Sequence, residues 1–136
     1  MLQDALAAPH LRCMLLRKDS SHSHLAFDGD AVIALILHAI GKKYTDHVGV
    51  RAAIVAHVGS NAALASVCLE SGILDMAFSL ATRNGKLTLV PTKVAADILE
   101  AVVAATYNLL GFAKTEEWFE EIARPWVEEV VRKLNF

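Results

Sequence analysis

Three carboxylates stand where carboxylates are costly. Asp97 and Glu100 interrupt Lys93-Val94-Ala95-Ala96-Asp97-Ile98-Leu99-Glu100-Ala101, an otherwise apolar stretch. They are three apart, so a helix puts them on one face. Asp30 closes Leu25-Ala26-Phe27-Asp28-Gly29-Asp30, just before the most apolar segment of the chain. Acids inside apolar helices need a cationic partner, water or a metal. Convergence of Asp30 with Asp97 and Glu100 would make an oxygen-lined site for a hard cation of the Mg²⁺ type, which retains waters. Spacing alone leaves a second reading open, in which these are surface acids or acids held by Lys93 and a helix end. The metal reading requires the two segments to lie side by side.

The elements that must position these residues are helices. Ala, Leu, Val, Ile, Glu and Lys fill long windows, and Gly and Pro mostly sit near the ends of periodic segments. An all-α domain is expected. A first helix is expected within residues 2–17, started or bent at Pro9. Residues 18–24 read as a polar turn. A long helix is expected from about residue 24 to 43, apolar nearly all round in its second half and therefore central. Further helices are expected over about residues 49–57, ending at Gly59, and to about residue 70, capped by Ser60 or Asn61 and ended by Gly72. A short helix over residues 73–81 and a loop over 83–91 with the Asn84-Gly85 turn come next. Thr92 is expected to cap a helix running to Leu110 and stopped by Gly111. The last helix is expected over about residues 115–134, with Glu116, Glu117, Glu120 and Glu121 near its start. Pro125 should kink or divide it.

At these residues the sequence resembles a known family. His24-Leu25-Ala26-Phe27-Asp28-Gly29-Asp30-Ala31-Val32 is similar to the signature of ribonuclease III nuclease domains, whose core reads Leu-Glu-Phe-Leu-Gly-Asp. The block from Lys93 through Glu100 to Tyr107 resembles the family's Lys-x-x-Ala-Asp-x-x-Glu-Ala stretch. Between them, Arg51, Val55, Leu64 and Ala65 fit its Arg-x-x-x-Val and Leu-Ala pattern. The blocks occur in the family's order and span roughly residues 4–130. The resemblance implies a ribonuclease III endonuclease-domain fold, an all-α homodimer that cuts double-stranded RNA with Mg²⁺, with Mn²⁺ as substitute. Metal-activated water would attack a backbone phosphate and leave short 3′ overhangs. It assigns Asp30, Asp97 and Glu100 as metal ligands, with Asp30 and Glu100 catalytic. Phe27 matches an aromatic that packs across the family's dimer interface; an ordinary core position is the other reading.

One departure bears on activity. The family usually carries Glu where this chain has Ala26, one helical turn before Asp30, so one carboxylate is missing. Asp28 points about 200° away from Asp30 around a helix and is a poor replacement. The short, single-domain Mini-III branch has a similar Leu-Ala-aromatic-x-Gly-Asp-Ala motif, so Ala26 is compatible with activity. Ser23 and His24 stand where the family has an acid and Arg. Weakened or altered metal binding is the expectation. A catalytically degenerate scaffold, as in mitochondrial ribosomal proteins of this fold, is the alternative. His22 and His24 form a His-x-His pair on a turn, a thin basis for zinc without a nearby Cys.

Composition bounds these readings. The chain has 136 residues, 54% of them apolar, with mean hydropathy +0.39. One domain with ample core is expected, and disorder is excluded. The apolar excess needs a destination, either a rich core or an interface. The formal charge of -2 excludes a histone-like polycation. It conceals an asymmetry: residues 116–129 hold six acids and one base, leaving 12 bases and 9 acids elsewhere. Arg83, Lys86 and Lys93 are the candidate RNA contacts, with a solvated basic loop as the other reading. Two cysteines, Cys13 and Cys68, give no disulfide scaffold, so a reducing, intracellular compartment is expected. No membrane partner is expected, since residues 31–40 are too short to span. No signal peptide and no double-stranded-RNA-binding domain of about 65–70 residues after the nuclease domain are expected.

Overall fold

The computed structural model describes residues 20–73, 75 and 91–134. The expected first helix, Cys13, the side chain of His22, the loop with Arg83 and Lys86, and most of the short helix after Ile73 lie outside the described residues. Five helices are described: α1 Ser20–Tyr44, α2 Val48–Val58, α3 Asn61–Glu70, α4 Thr92–Leu110 and α5 Phe112–Lys133. Among the described residues there is no strand, so the described fold is all-α, as the helix-former windows predict.

The centre of the fold is α4. From Ala95 to Thr106 it is buried apart from Asp97, and it packs against α1, α3 and α5. This corrects the expectation that the second half of α1 is central. There Ile33, Ile36, Leu37 and Ile40 are fully buried, while Ala31, Leu35 and His38 on other sides are exposed. An apolar composition therefore hid a one-sided helix. The segment His24–Tyr44 is long and apolar enough to cross a membrane, yet its buried side forms part of the core.

Boundaries show local chemistry at work. Ser60 caps α3, its Oγ accepting from the Ala63 N–H at 3.2 Å and donating to the His57 carbonyl at 2.8 Å. Gly111 adopts φ +82°, which favours glycine, and so breaks the path between α4 and α5. Three expectations need correction. Residues 20–24 are helical rather than a turn, so His24 sits on α1. Thr92 is the first helical residue and makes no side-chain cap; the Pro91 carbonyl accepts the first turn's bond from Ala95 at 3.1 Å. Finally, α5 starts at Phe112, so no acid lies in its first turn, and it runs unbroken through Pro125. Proline there removes the bond to the Glu121 carbonyl, but both residues are exposed and water can satisfy that oxygen.

Candidate metal and nucleic-acid site

The site is made where α1 crosses α4, and glycine allows the crossing. A Cβ at Gly29 would collide with the Glu100 carbonyl and lie 2.9 Å from its Cα. Backbone meets backbone there, which brings the next residue, Asp30, to the same side as the acids of α4. Asp30, Asp97 and Glu100 line one open cleft of about 450 Å³, together with Ala26, Phe27, Lys93 and Asn61. The sequence requirement that the two segments lie side by side is met.

The three acids are not equivalent. Glu100 is 7% exposed, on the buried face of α4. Burial, then the negative charges of Asp30 and Asp97, push its carboxyl up to about 7, and Lys93 only partly opposes them. Asp97 is half-buried and accepts from Lys93 Nζ at 3.4 Å across one turn. Asp30 is exposed at the rim. Local negative charge therefore exceeds what Lys93 supplies, and a cation would relieve it. The donors are hard oxygens, suited to Mg²⁺ or Mn²⁺ rather than to zinc. Among the described residues no three His, Cys, Asp or Glu side chains form a ready-made metal cluster. The fit is that of an open, water-retaining site rather than a closed cage. Mg²⁺ sites are commonly of this kind, using one or two carboxylates and substrate phosphate.

Other expected site residues are placed as follows. Ala26 is buried against the cleft, so the position where the resemblance would place a Glu falls at the site itself. Asp28 is exposed and does not line the cleft, in keeping with its angular position. Phe27 is 79% exposed, which rules out the core reading within this chain. Arg83 and Lys86 lie outside the described residues. Cys68 is fully buried, and burial pushes its thiol up to about 12, an inert core position. Sequence reasoning missed Asn61, weighed only as a cap. Ser60 is the cap, which leaves Asn61 at the cleft wall. The signal was there in Gly59-Ser60-Asn61, where only one residue can cap.

Among the described residues, an all-α fold with an acidic cleft where two helices cross is the class this geometry defines. No family model matches the chain, and no curated protein and no solved structure matches it.

Proposed function

We propose that the chain is a Mg²⁺-dependent endoribonuclease of ribonuclease III type, cleaving double-stranded RNA as a homodimer. One observation carries the reading. Asp30, Asp97 and Glu100, the positions that the family resemblance marks as ligands, line a single cleft with unbalanced negative charge. In this reading one or two of the three carboxylates, with retained waters, would hold the ion, and Glu100 is the buried acid at the inner side of the cleft. When bound, the ion supplies a Lewis acid that activates water and neutralises charge on the phosphate. Lys93, 75% exposed at its side chain, releases Asp97 and meets a backbone phosphate at the rim. Its binding to RNA is shape-directed, through phosphates and 2′-hydroxyls rather than base edges.

The homodimer has a surface to use. Phe27, Ala31 and Leu35 recur every four residues on α1 and are exposed, with Phe27 at 79% and Leu35 at 58%. A second copy covering this stripe would bury it beside the cleft. That is a destination for part of the apolar excess in the composition.

The test is cleavage of a long RNA duplex at low salt under Mg²⁺ or Mn²⁺ titration. Wild type cleaves, and Asp30→Ala and Glu100→Ala each lose about a thousandfold or more, the scale of a several-kcal/mol loss of charge stabilisation. Absence of cleavage with either ion overturns the reading. A second reading is a catalytically degenerate RNA-binding or scaffold protein of the same fold, favoured by Ala26 at the cleft. Ala26→Glu separates the two: higher activity at lower Mg²⁺ marks a weakened enzyme, whereas continued inactivity with intact RNA binding marks a scaffold.

A further inference from the structure

The cleft has one wall that the carboxylates do not explain. Asn61 is the lining residue contributed by α3, and it is the cleft's uncharged polar side chain. It is exposed, and its side chain forms no hydrogen bond among the described residues. Ser60 makes the side-chain cap of α3, so the neighbouring Asn61 amide is not consumed in capping. We propose that Asn61 is a specificity-determining residue that reads the 2′-hydroxyl of the strand lying in the cleft, and so selects ribose over deoxyribose.

The chemistry favours this group. A carboxamide presents both a donor and an acceptor, and a 2′-hydroxyl presents the same pair. A phosphate only accepts, and Lys93 on α4 already offers it a charged donor. Three acids make the cleft hostile to further negative charge, so a neutral reader costs least there. The 2′-hydroxyl is also the group by which a protein tells RNA from DNA. This inference rests on the reading of the cleft as an RNA site.

The experiment compares a duplex RNA with the same duplex carrying 2′-fluoro groups, which keeps A-form shape but removes the hydroxyl donor. Binding is measured by fluorescence anisotropy with Ca²⁺ in place of Mg²⁺, for wild type, Asn61→Ala and Asn61→Asp. Wild type prefers RNA, and in Asn61→Ala that preference shrinks by about five- to tenfold, the scale of one neutral hydrogen bond. Asn61→Asp still accepts from the hydroxyl but repels phosphate, so both duplexes weaken and the preference stays. The Mg²⁺ midpoint of thermal stabilisation is unchanged in Asn61→Ala, which excludes a ligand role. Equal weakening of both duplexes by Asn61→Ala, or no weakening, overturns the assignment alone. Failure of wild type to bind either duplex overturns the RNA reading of the cleft, and this inference with it.

Discussion

Two places in this fold set lysine against clustered acids, and they end differently. At the C-terminal end of α1, Lys43 sits between two acids of α5, with Nζ 2.6 Å from Glu120 and 3.4 Å from Glu116. The Glu120 hydrogen bond leads in holding the ammonium above its usual range. Where α4 crosses the N-terminal half of α1, Lys93 reaches Asp97 at 3.4 Å, and Glu100 and Asp30 share the remaining negative charge. The first cluster is closed, with one cation against two acids that water also solvates. The second is left open, with a buried acid that pairs with no cation among the described residues. Structural ion pairs look like the first, and sites built for something else look like the second.

The largest expected effect comes from the crossing that creates the open cluster. In Gly29→Ala a methyl meets backbone rather than a movable side chain, so α1 and α4 must separate. We expect a stability loss of about 3 kcal/mol, the upper end of overpacking costs, measured by denaturant unfolding. Asp30 leaves Glu100, and cleavage and Mg²⁺-induced stabilisation are lost together. The Lys43 cluster joins α1 to α5 at a distance from that crossing, so its response to salt should survive. If Gly29→Ala retains full stability, the close crossing is not real and the comparison collapses.

Next in size is the pH dependence of the open cluster. Glu100 holds its proton more tightly in the folded state than in the unfolded chain, where it ionises near 4.5. Folding is therefore not penalised below that value, and stability is lost as pH rises from there through about 7. The loss is on the order of 2–3 kcal/mol without metal. Thermal melts of Glu100→Gln in chelator should flatten this slope, and Mg²⁺ should restore wild-type stability at pH 8. An unchanged slope in Glu100→Gln would mean that the charge excess lies elsewhere.

What the sequence made legible divides along the same line. The acids, their spacing and the helix that carries Asp97 and Glu100 were readable, because local periodicity and motif order are local properties. The ends at Gly59, Ser60 and Gly111 were readable for the same reason. The one-sidedness of α1 was not, because an apolar residue such as Leu35 carries no mark of which side its neighbours take. Neither was the role of Gly29, whose consequence is a contact 71 positions away in the chain. The Lys43 bridge spans 77 positions and was equally silent. The cap of α3 was left open between Ser60 and Asn61, since the choice between adjacent Ser and Asn is settled by backbone angle rather than residue type.

Lys93→Gln sharpens the contrast with a smaller effect. The Lys93–Asp97 pair is exposed, so its loss should change stability by less than about 1 kcal/mol. Binding to duplex RNA should weaken, and the slope of log affinity against log salt should fall by about one, the signature of one lost phosphate contact. A salt slope identical to wild type would remove Lys93 from the RNA surface and leave it a local partner of Asp97.

The smallest effect is expected at the solvated Lys43 cluster, where both acids share a cation. Lys43→Met removes the shared cation and leaves Glu116 and Glu120 one turn apart on α5 with like charge. Lys43 is 54% exposed at its side chain, so solvent screens much of the pair. A loss under about 1 kcal/mol is expected, partly recovered in high salt as the repulsion between the two acids is screened. RNA cleavage and the Mg²⁺ midpoint should not move, because the cluster lies at the far end of α1 from Asp30. Should they move, α1 transmits strain between its ends, and the two clusters are one coupled device rather than a lock and a site.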